Sequence, residues 1–287
     1  MAGEALFFAR ELEFIRQEVY RREYPTLKAT KHFPVYTDAG RGAKVITHTM
    51  IDRIGSAAIG MGFPLIEIRR REFSTPVREL TASYKWDINE LWYAQRAGVN
   101  LRAEKAFAAA DAIARLEDEL AYLGDEETGL LGAFTHPNVP VQVADFTIDN
   151  NSTPDQIISV YNSAINLVGT LTRNVRMANY CLSSVKAFSH ISTTRIPDTP
   201  DTILDFLKKA HPQVTFDWCA RCSGAGIGGT DVIFTYDRDP SVIRLNIPLP
   251  FEQLPEHWTG KGVEINCIEQ FGGIEYIYVA AVLTIGV

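Results

Sequence analysis

The first place to look for chemistry is Gly224-Ala225-Gly226-Ile227-Gly228-Gly229, which satisfies the spacing G-x-G-x-x-G. Such a loop cradles a dinucleotide only when a strand leads into it and a helix opens from it, because the helix amides hold the pyrophosphate. Here TDVIFTYDRDP follows, a β-rich run ended by a turn, so the glycines read as a loop between strands. Just upstream, Cys219 and Cys222 form a lone C-x-x-C. A zinc site needs about four ligands, normally a second pair at similar spacing, and Cys181 and Cys267 stand apart. In an extended run, alternation sends Cys219 and Cys222 to opposite faces. They read as reduced cysteines beside the loop.

The remaining candidates are weaker. His32, His48, His136, His190, His211 and His257 are isolated, and no H-E-x-x-H, G-x-S-x-G or P-loop is present. Ser183-Ser184 lacks a glycine elbow. The paired acids Asp118-Glu119 and Glu126-Glu127 read as a solvated helix face and a loop. Arg69-Arg70-Arg71 is the most basic cluster, but Glu67 and Glu72 flank it, which favours ion pairs between subunits over phosphate binding. Individually such exposed pairs are weak, so their strength must come from repetition. No residue is assigned to catalysis, to a cofactor or to a metal.

The elements explain this absence. Asp87 to Gly124 writes two helices. Asp87 with Glu90 has capping-box spacing, and Gly98 suits a helix end. Asn100 can cap a second helix of about six turns, closed by Gly124. Leu101, Ala106, Phe107, Ala110, Ile113, Ala114, Leu116 and Leu120 form its apolar stripe, and its alanines admit close neighbours, so it reads as a spine under a sheet. Residues 4–24 read as an amphipathic helix stopped by Pro25. Residues 44–86 read as a long hairpin. Its second run carries Glu67, Arg69, Arg70, Arg71, Glu72, Arg78, Glu79 and Lys85, too much charge to bury a face of its own. A lone two-stranded hairpin is marginal in water, so this one is expected to lie on something else, such as another copy of the chain.

Further on, Thr153-Pro154 with Gln156 opens a helix running to about Arg173. CLSSVKAFSHIS reads as a strand, Thr199-Pro200 opens a helix through TILDFLKKAHP, and the rest is mostly extended. Helices and strands mix without βαβ alternation, which argues for α+β. The chain has 287 residues, 46% of them hydrophobic, ample for a sizeable core. A net charge of −7 argues against general nucleic-acid binding. Four scattered cysteines fit a reducing compartment. MAGEALFFARELEF lacks the basic start and apolar run of a signal peptide. IEYIYVAAVLTIGV at the end is too short for a membrane helix and reads as buried strand.

In order and spacing these parts resemble the major capsid proteins of tailed bacteriophages with the Hong Kong 97-type fold, more narrowly the capsid family long known only as a conserved domain of unknown function. The carrying pieces are LEFIRQEVYRREYPTLKATKHFPV, ASYKWDINELWYAQRAGVNLRAEKAFAAADAI, GLLGAFTHPNV, TPDTILDFLKKAHP, GAGIGGTDVIFTYDRDPSVIRLNIPLPFEQLP and CIEQFGGIEYIYVAAV. The resemblance spans nearly the whole chain. It implies an N-terminal arm (1–43), an extended loop (44–86), a peripheral domain with the spine helix (87–152), an axial domain (153–260) and final strands returning to the peripheral domain (261–287). It also implies a self-assembling icosahedral shell of pentamers and hexamers around double-stranded DNA, located in the virion and assembled in the host cytoplasm. Portal and scaffold or decoration proteins are the expected partners, and no membrane is involved. Glu67, Arg69, Arg70, Arg71, Glu72, Arg78 and Glu79 become candidate intersubunit contacts. No long scaffolding segment precedes the arm, so proteolytic maturation is not expected, and no Lys–Asn crosslink is assigned. An encapsulin-type compartment shares the fold, and an α+β enzyme using the 224–229 loop is the remaining alternative.

Overall fold

A computed structural model describes residues 26–54, 67–98, 101–144, 148, 152–278 and 282–286. The helix expected over 4–24 and the cap expected at Asn100 lie outside these residues. After a short helix α1 (Ala29–His32) and β1 (Val35–Tyr36), the chain runs out as β2 (Val45–Ile54) and back as β3 (Glu67–Pro76). These two pair antiparallel from Val45↔Pro76 to Ile54↔Glu67 and form a sheet of their own. Pro76 cannot donate to a ladder, and there the strand changes partner. β4 (Arg78–Asp87) leaves the hairpin and pairs along its whole length with β14. The hairpin expected to reach residue 86 therefore ends at Pro76.

Asp87 caps α2 (Ile88–Ala97) by accepting from the Asn89 amide, and Gly98 ends it at a φ of 72°. The spine helix α3 (Leu101–Leu123) follows for 23 residues and stops at Gly124, whose φ is +66°. A Cβ there would meet the Gly132 amide nitrogen and the Leu130 carbonyl, so only glycine fits. The small pair β5 (Gly124–Asp125) and β6 (Leu130–Leu131) and then β7 (Val141–Val143) lead to α4 (Pro154–Leu171). The Thr153–Gln156 capping box is made from both sides.

β8 (Tyr180–Ser183) is shorter than the strand expected over 181–192. Ser184 accepts from the Ala187 amide and starts α5 (Val185–Thr193), which buries Ala187 and Ile191, four residues apart. α6 (Ile203–Ala210) begins later than expected, because the capping box is Thr202–Asp205 rather than Thr199-Pro200. Then come β9 (Thr215–Trp218), β10 (Val232–Tyr236), β11 (Ile243–Asn246), β12 (Leu249–Gln253), β13 (His257–Thr259), β14 (Gly262–Phe271), β15 (Gly273–Tyr276) and β16 (Val282–Gly286).

Three sheets form the body. One has the order β7-β16-β10-β8-β9, one β1-β11-β15, and in the third β14 carries β4 along its length and also pairs with β12 and β13. The final strands thus divide: β14 joins β4, whereas β16 enters between β7 and β10. Ile157, Tyr161, Ala164, Ile165 and Val168 of α4 are buried, and the Thr235 hydroxyl of β10 donates to the Ala164 carbonyl at 3.1 Å. α3 lies across β4, β14 and α1. No helix among the described residues is long and apolar enough to cross a membrane.

Candidate functional site

In the two-stranded β2–β3 hairpin, directly paired residues share a face. Arg70 stands opposite Ile51, Arg69 opposite Asp52, Arg71 opposite Met50, Glu72 opposite Thr49, and Glu67 opposite Ile54. Ile51 and Ile68 are 52% and 64% exposed, so the hairpin shows apolar as well as charged surface. At its base His48 Nδ1 lies 2.5 Å from the buried Glu275 Oε1, Phe73 stacks on the His48 ring, and the Asn246 amide donates to Glu275 Oε2 at 3.1 Å. The other two candidates act within the chain. Arg78 donates twice to the Thr128 carbonyl, at 2.9 and 2.7 Å, and Glu79 accepts from Gln270 at 3.4 Å.

A second constellation was not legible as one. Asp118, expected on a solvated face, is buried and accepts from the Lys28 and Ala29 amides, at 2.9 and 3.1 Å, which caps α1. Asp217 accepts from Lys28 at 2.7 Å and Lys31 at 2.6 Å, and His32 Nε2 lies 3.4 Å from it. Burial opposes ionisation of Asp217, but the hydrogen bonds from Lys28, Lys31 and the Trp218 amide outweigh it and hold the carboxyl well below the usual range. The other nitrogen of His32 meets the Tyr122 hydroxyl at 2.5 Å. Next to it Phe33 is fully buried among Tyr122, Phe234 and Tyr236, worth roughly 2–3 kcal/mol of transfer free energy.

Cys219 and Cys222 belong to this cluster. The chain turns through a short 3-10 helix at Ala220–Cys222, which brings the two thiols together instead of sending them to opposite faces. Cys222, His32 and Tyr122 are the neighbours of Cys219, and their polar groups, Cys222 foremost, hold its thiol low. Burial pushes Cys222 up. A cysteine, histidine and aspartate in file are the parts of a thiol nucleophile. Here the carboxylate is taken by two lysines, and Cys219 and His32 are 3% and 0% exposed, so the arrangement ties residues 28–33 to the body. Among the described residues no group of three or more His, Cys, Asp or Glu is placed to hold a metal. No single motif signalled the cluster, since its members come from four separate stretches.

The glycine loop is shaped by its own chain. Gly224, Gly228 and Gly229 have φ of 69°, 73° and 80°. The Gly224 amide and Ser223 hydroxyl both donate to Asp231 Oδ1 at 3.1 Å, and the Gly226 amide donates to the Thr230 carbonyl. A strand, β10, follows, so no helix N-terminus faces the loop as a pyrophosphate site requires.

Comparison with known proteins points to a structural role. A search of curated proteins finds no match. The chain is similar to the capsid of Myoviridae phage XM1, at TM-score 0.87 and 21% identity over 98% of this chain and 99% of that one. It is similar to the capsid of a native GTA particle, at TM-score 0.69 and 12% identity over 97% and 96%. It is also similar to the virus-like particle of Pyrococcus furiosus, at TM-score 0.56 and 11% identity over 89% and 90%. These likenesses bear out the α+β, Hong Kong 97-like fold. Residues 56–285 match the family model described as major capsid protein, and the chain belongs to that family.

Proposed function

We propose that this chain is the subunit of the icosahedral shell that encloses the double-stranded DNA of a tailed bacteriophage. Family membership carries the reading, and the hairpin supports it: among the described residues its two strands pair only with each other, and it shows exposed apolar side chains beside its arginines. On this reading the extended loop, counted from residue 44, lies over a neighbouring subunit. Glu67, Arg69, Arg70, Arg71 and Glu72 meet that neighbour, while Arg78 and Glu79 contribute from the hairpin's root. Residues 87–152 act as the peripheral domain, 153–260 as the axial domain, and 261–287 as strands that tie the two. The subunits form pentamers and hexamers in the host cytoplasm, with a portal and scaffold or decoration proteins as further partners. The negative net charge suits a container from which DNA must leave again.

Particle size tests the reading. Negative-stain microscopy and light scattering on the purified chain are expected to show closed shells or capsomer rings, many times the 32.0 kDa subunit. A monodisperse monomer or dimer, with a co-expressed scaffold supplied, overturns it. An encapsulin-type compartment shares the fold, and a gene neighbourhood holding a cargo enzyme in place of portal and terminase would put it first.

A further inference from the structure

Shell building makes no use of the thiols at Cys219 and Cys222, and both are free. The Cys222 amide donates to the Cys219 carbonyl at 3.2 Å, and the short 3-10 helix at Ala220–Cys222 completes a turn between them. A turn closed in this way holds its end Cα atoms within about 7 Å, and a disulfide spans roughly 4.4–6.8 Å. The turn is fixed at both ends. The Cys219 amide donates to the Ser183 carbonyl of β8 at 3.0 Å, and the Ser223 amide to the Ala220 carbonyl at 3.3 Å. The backbone therefore holds the pair at a separation that a bridge can close.

The two cysteines differ in access. Cys219 forms part of the wall of an open pocket of about 340 Å³, with Leu27, Lys28, Arg115, Asp118 and Arg221. Cys222 is fully buried and takes no part in that wall. The pocket's cations are held by carboxylates: Lys28 by Asp217 at 2.7 Å, Arg115 by Asp111 at 3.1 Å and Arg221 by Glu119 at 3.2 Å. A mouth whose charges are already paired does not suit an ionic ligand and admits a small neutral one. Little of the Cys219 sulfur is exposed, which excludes a substrate that must be wrapped around it but not a molecule of two oxygens. Beside Cys219, the ring Nε2 of the buried His32 makes no hydrogen bond, although Asp217 Oδ2 lies 3.4 Å away. The same neighbours favour the reactive form of Cys219, whereas burial pushes the Cys222 thiol up.

We propose that Cys219 is an oxidation site for hydrogen peroxide entering this pocket, and that Cys222 resolves the product into a Cys219–Cys222 disulfide. The Cys219 thiolate attacks one peroxide oxygen, so an S–O bond forms, the O–O bond breaks, and the departing hydroxide takes up the thiol's proton as water. The Cys222 sulfur then attacks the sulfenic sulfur. An S–S bond forms, the S–O bond breaks, and hydroxide leaves with the Cys222 proton as a second water. Two thiols lose two electrons in all, and the peroxide gains them. The bridge forms beside His32 and Tyr122, where residues 28–33 meet the body, so that junction is exposed to the redox state of the pair. The inference goes beyond the shell-building reading and does not depend on it.

The test is hydrogen peroxide added to the purified, fully reduced chain in reductant-free buffer at neutral pH, followed by mass spectrometry. The intact mass is expected to fall by two hydrogens, and dithiothreitol to restore it. Arg221 lies between the cysteines, so trypsin leaves two peptides joined only by the bridge. In Cys222→Ser the reaction is expected to stop at the Cys219 sulfenate, which dimedone traps at least about tenfold faster than anything on Cys181 or Cys267. Cys219→Ser is expected to give neither sulfenate nor bridge, which separates attack at Cys219 from attack at Cys222. Circular dichroism melts show whether each variant is folded, and the wild-type peptide map decides the matter without them. A bridge between Cys181 and Cys222, a sulfenate that appears first on Cys181, Cys222 or Cys267, or a bridge that forms only in urea overturns the inference and leaves the shell reading standing.

Discussion

Asp217 shows how a single carboxylate can anchor a chain segment. Lys28 is nearly buried beside it, whereas the Lys31 side chain is 63% exposed. Removing one partner of a buried pair strands the other, at roughly 3–5 kcal/mol. An exposed partner is worth less than about 1 kcal/mol. Urea unfolding of the unassembled subunit should therefore show a large loss for Asp217→Ala and a small one for Lys31→Ala. Because the folded carboxyl sits below its ordinary value, its contribution is present above about pH 4 and fades as the pH falls further. Asp217→Ala should accordingly flatten the acid limb of the stability curve. Nothing local marks these residues. Asp118 looks like the solvated acid next to it, Glu119, because its partners lie 89 and 90 residues away. His32 and His48 look isolated for the same reason, their partners Asp217 and Glu275 being supplied by distant strands.

Local rules worked for the elements wherever the cause was local. The Thr153–Gln156 box, the Asp87 cap and the Gly98 and Gly124 stops all lie where the spacing puts them. α5 was missed because VKAFSHIST is short and rich in residues that suit either structure, and Ser184 decides it. The stripe on α3 was only partly legible. Ile113 and Leu120 are buried, but Phe107 is 66% and Leu116 43% exposed, while Ala109, Ala121 and Tyr122 are buried. An apolar residue kept for a neighbouring copy has the same look in sequence as one kept for the core. Two substitutions separate the faces. Ala121→Leu forces bulk into a fully buried position and should cost about 1–3 kcal/mol in urea unfolding. Phe107→Ser should stay within about 0.5 kcal/mol of wild type in the unassembled subunit. A large loss for Phe107→Ser would mean that this side of α3 supports the fold.

For the whole molecule, the separation of body from hairpin matters most. Among the described residues, none between 45 and 76 belongs to the buried core, and β2 and β3 pair with each other and with no further strand. The body's three sheets close without them. A strand pair that adds nothing to its own core and exposes Ile51 and Ile68 is explained by contacts outside the subunit. Its root is separate again, fastened by His48 to Glu275 and by Thr47 to Ser74 at 3.0 Å. Thr49 and Glu72 face each other in the register, so a two-residue Asn-Gly turn can join them in place of residues 50–71 and leave the root intact. That shortened chain should unfold at the same urea midpoint as the unassembled wild type, because its core is untouched. It should also remain a small soluble species where the wild type forms particles. Particles of normal size from the shortened chain would show that the hairpin is dispensable and that shell contacts lie on the body. A collapse of stability would show that the hairpin is part of the fold rather than a reach toward a neighbour.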